Sequence, residues 1–287
     1  MALPARNRRT SDELGARFDD VRPLHTGERF SVYRVRETAT RRPAVVKVPK
    51  RDGGTWLSEV LDREAAVLAA IGAHPNIVTL YQRFELDDGR PALLLEHCPR
   101  SVVDDLRDGG RLALQETVAL GVKLAGALET VHKAGFVHCD VRPANVLVTR
   151  SGEPVLSGFD ECVRATDPPG ALHVTTPHTA PELLEGRQAT PRTDVYGLAA
   201  TLYELVAGQA AFRAYAGESP ATVAVRVLSG RAKPIVSPDI PLDVSDLLTW
   251  ALAPEPAARP PGPTWLAEEL GRIERRQGWP RTALVTR

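Results

Sequence analysis

The texture of the chain changes at Cys98-Pro99, and that change limits the folds open to it. Before it, residues 18–96 carry short β-type runs, FSVYRV, PAVVKV, IVTLYQRF and ALLLE, separated by Gly, Pro and Asp clusters. After it come segments with helical periodicity. QETVALGVKLAGALETVHKAG sets Leu120, Leu124, Leu128 and Val131 on one stripe and stops at Gly135; RTDVYGLAATLYELVAG stops at Gly208; SDLLTWAL and PTWLAEELGRI follow. The expectation is an α+β, two-lobed chain with a small β-rich lobe followed by a larger, mainly helical one. Its 287 residues sit near the length at which a single core divides. The polar residues 1–16 lack hydrophobic periodicity and read as a mobile tail, 17–98 as the β-rich lobe, 99–272 as the helical lobe, and 273–287 as a short basic tail carrying Arg275, Arg276, Arg281 and Arg287.

Thirty-six basic residues balance thirty-six acidic ones, so no global field draws the chain to nucleic acid or anionic lipid, and a polyanion has to be recognised locally. Only five of the cations are lysine: Lys47, Lys50, Lys123, Lys133 and Lys233. Cys98, Cys139 and Cys162 are odd in number and irregular in spacing, which indicates neither a disulfide framework nor a zinc site. With no signal peptide ahead of them, a reducing cytoplasm is the expected compartment. No apolar run approaches membrane-spanning length; the best, around 118–131, is broken by Lys123 and Glu129. Oligomeric state is not readable.

One helix is expected within the β-rich half, over 56–71 and closed by Gly72. Glu64 lies on its apolar stripe with Val60, Val67, Leu68 and Ile71. An inward carboxylate either snorkels to water at the rim or has a buried cationic partner, because an unpaired interior charge costs several kcal/mol, roughly. Further on, VHCDVRPANVLV places Asp140 and Asn145 five residues apart in a loop between a helix and short β runs. Such a loop can turn both side chains to one point, a carboxylate to take a hydroxyl proton and an amide oxygen to ligate magnesium, with Arg142 between them to neutralise a phosphoryl group. Asp and Asn serving only as turn formers would leave the same pattern.

At this point the chain resembles the protein kinase superfamily, and its phrasing is similar to bacterial Ser/Thr protein kinases of the eukaryotic-like type, over about 18–272. The family's V-A-I-K appears as AVVK ending at Lys47, and the resemblance implies that this ammonium binds the α and β phosphates of ATP and pairs with Glu64. Ala180-Pro181-Glu182 matches A-P-E. Asp194 matches the aspartate that braces the catalytic loop, and Arg259 the arginine that pairs with the A-P-E glutamate. By the same resemblance Val32, Val45 and Leu147 sandwich adenine, Leu95 to Cys98, with Glu96, form the hinge, and Gly27 approaches phosphate. Asp140 is then the catalytic base and Thr175 or Thr176 its hydrogen-bonding threonine. ATP with Mg²⁺ or Mn²⁺ is the implied cofactor set, and a protein substrate or regulated partner protein the implied partner.

Three departures bear on activity. The glycine-rich loop reads His25-Thr26-Gly27-Glu28-Arg29-Phe30-Ser31-Val32, keeping only the middle glycine. The H-R-D arginine is Cys139, expected to be an inert core thiol beside a packing His138. D-F-G is Gly158-Phe159-Asp160, so the usual metal-bridging carboxylate has no side chain, and Asn145 and a displaced Asp160 are the candidate metal ligands. The leading reading is therefore a Ser/Thr protein kinase of weak or unconventional activity. A pseudokinase scaffold is its rival; a small-molecule phosphotransferase, disfavoured by the Glu182, Asp194 and Arg259 set, is the third.

Overall fold

The computed structural model describes residues 5–168 and 177–287, so Thr175 and Thr176 lie outside the described residues. The chain divides into two compact units, residues 1–73 with 78–98, and residues 74–77 with 99–287. The fold is of the α+β class, with a five-stranded antiparallel sheet in the first unit and mainly helices in the second. No described helix is long and apolar enough to cross a membrane.

The first unit opens with helix α1 (Ala5–Gly15) and an antiparallel sheet of β1 (Phe18–Thr26), β2 (Phe30–Glu37), β3 (Pro43–Pro49), β4 (Leu80–Glu85) and β5 (Pro91–Glu96), in the order β1-β2-β3-β5-β4. β1 escapes the sequence patterns because FDDVRPLHT is polar and holds Pro23, a residue an edge strand tolerates. Alternation along the strands creates two faces. Tyr33, Val35, Ala44, Val46, Val48, Ala92 and Leu94 form one. Lys47 shares the other with Val32 and Leu93, its partners in register, and with Val45 and Leu95.

Helix α2 (Gly54–Ile71) packs on the Lys47 face, burying Leu57, Val60, Leu61, Glu64, Val67, Leu68 and Ile71 and contacting β3, β4 and β5. It ends where Gly72 takes φ 73° and returns its N–H to the Leu68 carbonyl. The opposite face is covered by α1, a helix that the polar sequence pattern does not signal. Leu14 of that helix is fully buried in the sheet's core cluster. Arg90 donates to the Thr10 hydroxyl, and Arg17 donates to the Glu85 carbonyl at 2.9 Å. The helix needs one apolar anchor and a few polar ties, too sparse a pattern for periodicity to register.

In the second unit β6 (Arg100–Ser101) pairs with β8 (Val146–Val148), which pairs with β9 (Pro154–Leu156), and β7 (Phe136–Val137) pairs with β10 (Val163–Arg164). Around these lie α3 (Leu114–Lys133), α4 (Pro181–Leu184), α5 (Pro191–Ala207), α6 (Pro220–Ser229), α7 (Leu242–Ala251) and α8 (Pro263–Gln277). α3 is the central element, touching α5 and α8, with Leu124, Leu128 and Val131 fully buried.

Helix α8 continues to Gln277, and the residues after it fold back as a strap along α3. Thr282 N donates to Glu274, Arg287 N donates to the Thr130 hydroxyl, and the Val285 carbonyl accepts from His74 Nε2 at 3.0 Å. Gly126 makes this possible, because a Cβ there would lie 2.2 Å from the Val285 oxygen. Leu14→Ala removes the anchor of α1 and is expected to cost about 2–5 kcal/mol, read as a lower midpoint in chemical denaturation, with faster amide exchange over residues 10–15. An unchanged midpoint would mean that α1 contributes nothing to the core.

Candidate active site

Within the first unit, Lys47 Nζ lies 2.7 Å from Glu64 Oε2, with the two side chains only 11% and 2% exposed. The helix stripe and the strand register therefore deliver opposite charges to one buried point, and the snorkelling alternative for Glu64 is excluded. The Phe30 ring stands 4.5 Å from the same ammonium, a cation–π contact the sequence did not signal. Val32 and Val45 are half-buried beside Lys47, offering apolar surface on the same face. Glu96 N donates to the Thr79 carbonyl, and Glu96 also accepts from the Thr79 hydroxyl. Cys98 follows, its thiol pushed up to about 12 by burial and by the nearby Glu96 charge.

The turn that replaces the glycine-rich loop is tight. Gly27 N donates to the Phe30 carbonyl at 3.0 Å, and Lys50 N donates to the Arg29 carbonyl at 2.9 Å. An added Cβ at Gly27 would sit 3.2 Å from His25 Nε2, so the one retained glycine also relieves crowding within the turn itself.

Within the second unit, the loop after β7 is built on Asp194, in the first turn of α5 and 1% exposed. Its Oδ2 accepts from His138 N at 2.8 Å and from His132 Nε2 at 2.7 Å, and its Oδ1 accepts from Cys139 N at 2.9 Å. Burial pushes this carboxyl up, but the hydrogen bonds from the His132 ring and the His138 amide and the His132 imidazole beside it outweigh burial and hold it below the ordinary aspartate value. These bonds keep Cys139 at φ 67°, a left-handed conformation costly for a side-chain-bearing residue. His132 is a partner that sequence reasoning missed.

Burial drives the His138 pKa down, so the ring is neutral at ordinary pH. Its Nδ1 accepts from Asp140 N, its Nε2 donates to the Ser157 carbonyl, and it stands edge-on to Phe159 at 4.7 Å. Both nitrogens are committed, so it packs and orients and cannot act as a base. Burial likewise raises the Cys139 thiol well above its normal value, which disfavours the reactive thiolate.

The loop brings Asp140, Arg142 and Asn145 together. Asp140 Oδ2 accepts from Arg142 Nε at 3.0 Å and from Asn145 Nδ2 at 2.7 Å, and Asn145 Nδ2 also donates to the Asp140 carbonyl at 2.8 Å. Among the described residues Asp140 Oδ1 accepts no hydrogen bond. The Asn145 carbonyl in turn accepts from both N and Oγ of Ser157, which ties the loop to the segment entering Gly158. Leu147 follows on β8, half-buried between buried Val146 and Val148.

Gly158 has φ 79° and ψ 49°, and a Cβ built there would lie 2.6 Å from Asn145 Cγ and 2.7 Å from its Oδ1. The Asn145 side chain thus occupies the space a side chain at 158 would need. Asp160 is half-buried in the single 3-10 turn Phe159–Glu161, close enough to raise the His138 pKa through its charge. With both N–H groups of Asn145 engaged by Asp140, Oδ1 is its available acceptor. Oδ1 and the Asp160 carboxylate are hard oxygen donors, a reduced set for magnesium, which accepts one or two carboxylates when phosphates and waters complete its shell. No group of three or more His, Cys, Asp or Glu forms a metal cluster among the described residues.

Arg259 meets Glu182 through two parallel 2.7 Å bonds. Its remaining donors reach the Ala253, Arg192 and Pro254 carbonyls, so all five are used by a side chain with 0% exposure. The pair fastens α4 to the segment preceding α8.

Glu64→Ala is expected to cost about 3–5 kcal/mol by stranding a buried ammonium, with the Lys47→Met/Glu64→Leu double variant recovering most of it in chemical denaturation. A double variant no better than the single one would refute the burial argument. Gly158→Ala is expected to cost about 1–3 kcal/mol from the left-handed backbone and the displaced Asn145; an unchanged unfolding midpoint would show that Asn145 yields freely.

The protein kinase domain model matches residues 18–270. The serine/threonine-protein kinase PknK of Mycobacterium bovis is 36% identical over 269 residues, covering 92% of this chain and 24% of its own length. The serine/threonine-protein kinase PknA of Mycobacterium tuberculosis is 30% identical over 260 residues, 86% of this chain and 58% of its own. The chain therefore spans about a quarter of the first relative and little over half of the second. With most of its length matched, this chain belongs to the protein kinase domain family.

Proposed function

We propose that the chain is an ATP-dependent Ser/Thr protein kinase domain of low activity. The observation that carries this is the state of Asp140, whose Oδ2 is fixed by Asn145 and Arg142 while its Oδ1 is left to receive a proton. When bound, ATP supplies the γ-phosphoryl group, and Mg²⁺ or Mn²⁺ neutralises charge on its phosphates. Lys47 binds the α and β phosphates, held in place by Glu64. Asp140 orients a serine or threonine hydroxyl of a protein substrate and accepts its proton as that oxygen bonds to phosphorus and ADP departs. Arg142 aligns Asp140 and contributes positive charge. Asn145 and Asp160 would hold the metal.

Low activity follows from Gly158. Losing a metal-bridging carboxylate removes several kcal/mol of transition-state stabilisation, and each ~1.4 kcal/mol is a factor of ten in rate. The same residue favours a second reading, a pseudokinase that binds nucleotide and acts through a partner protein. The names of the relatives support the kinase reading.

Transfer from labelled ATP to a generic protein substrate, with Mg²⁺ and with Mn²⁺, is expected to be slow but measurable, and to fall by at least about 100-fold in Asp140→Asn. Equal signal in the variant would overturn the assignment of the base. Nucleotide binding without any transfer would establish the second reading instead.

A further inference from the structure

Of the five lysines, the proposed chemistry uses only Lys47. Lys50 follows β3, and its ammonium makes no hydrogen bond or ion pair among the described residues. It lines a cavity of about 190 Å³ in the first unit, together with Arg51, Arg90, Asp52 and the hydroxyl-bearing Thr26 and Ser31. Thr10 of α1 reaches the same cavity, so the docked helix forms part of its wall.

The charge in this cavity is unbalanced. Arg51 and Arg90 share one carboxylate, Asp88, at 2.7 and 3.0 Å, and burial of that carboxylate is outweighed by Arg90 and Arg51, which hold it below its ordinary pKa. Three cations thus stand against Asp52 in the lining and Asp88 beside it, which leaves one net positive charge. The hydroxyls of Thr26 and Ser31 can each donate a hydrogen bond. Ammonium, guanidinium and hydroxyl donors converging on a space of this size fit a tetrahedral oxyanion, whose several oxygens accept more bonds than a water can.

We propose that this cavity binds a phosphate-sized oxyanion, either free phosphate or the phosphoryl end of a monoester, with Lys50 as its principal cation and Arg51 beside it. The site lies at the base of the turn that replaces the glycine-rich loop. Thr26 and Ser31 are the last register pair before that turn, and the Lys50 amide already holds the Arg29 carbonyl within it. An anion here ties α1, the end of β3 and the turn together, so its binding stiffens residues 26–31. The inference stands apart from the proposed phosphotransfer, and its test reads no activity.

Isothermal titration of the whole chain with inorganic phosphate, against chloride at matched ionic strength, is expected to reveal one saturable site. Lys50→Gln weakens it by at least about tenfold, Arg51→Gln weakens it as well, and Lys47→Met/Glu64→Leu, which strands no buried charge, leaves it in place. Hydrogen exchange over 26–31 slows with phosphate in the parent chain and not in Lys50→Gln. Arg51, on the rim, serves as the test position should Lys50→Gln fold poorly. Phenyl phosphate in a parallel titration separates the two sources, binding more tightly if the natural ligand is a monoester. No heat beyond the chloride control, or binding lost in Lys47→Met/Glu64→Leu and retained in Lys50→Gln, overturns the proposal.

Discussion

An ammonium and a carboxylate 2.7 Å apart, both nearly sealed from water, set the terms for the smaller unit. Burying two charges is expensive, and a hydrophobic pair of the same volume serves stability as well or better. The strand register that puts Lys47 beside Val32 and Leu93, and the helix phase that turns Glu64 inward, both follow from apolar patterning around these two residues. The sheet's other face can then be closed by a weakly apolar helix, α1, because Leu14 completes a cluster already built from buried side chains of β2, β3 and β5, with Phe18, Val21, Tyr81 and Phe84 packed against it.

In the larger unit the corresponding constraint is Asp194. A carboxylate in the first turn of α5 gains from the helix N-terminus and accepts three hydrogen bonds, enough to hold a left-handed cysteine in the loop that presents Asp140. From His138 the restraint passes to Ser157, and from Ser157 to Asn145, so the loop and the Gly158 segment form one hydrogen-bonded block. The replacement of a carboxylate by glycine at 158 is accommodated inside this block, with Asn145 filling the space and bonding Asp140. On the proposed reading, a loop reshaped in this way keeps the Asp140 carboxylate and lacks one at 158, which is why low activity and binding without turnover are the two readings that matter.

Much of this was legible in the sequence. Helix phase alone placed Glu64 inside, and the five-residue spacing of Asp140 and Asn145 marked one loop as chemical. The two-lobed division followed from a switch in hydrophobic period. What escaped has identifiable causes. α1 has a polar sequence with a single apolar anchor, and β1 is polar with a proline, so neither produces a period. The strap after α8 is held largely through backbone groups, the Val285 carbonyl and the Arg287 amide, which any residue would supply. His132 reads as one more polar residue of a helix until α5 brings Asp194 to it. The missing carboxylate at 158 was visible; that Asn145 would fill its place was not, since that depends on a φ of 79°.

The central proposal is that the smaller unit meets nucleotide phosphate through Lys47 and the larger unit meets the metal through Asn145 and Asp160, with no carboxylate at 158. A crystal structure with Mn²⁺ and a non-hydrolysable ATP analogue addresses it most directly, because manganese locates itself by anomalous scattering. The account predicts phosphate oxygens on Lys47 Nζ and manganese ligated by Asn145 Oδ1 and an Asp160 oxygen. Phosphates away from Lys47, or a metal touching neither Asn145 nor Asp160, would contradict it.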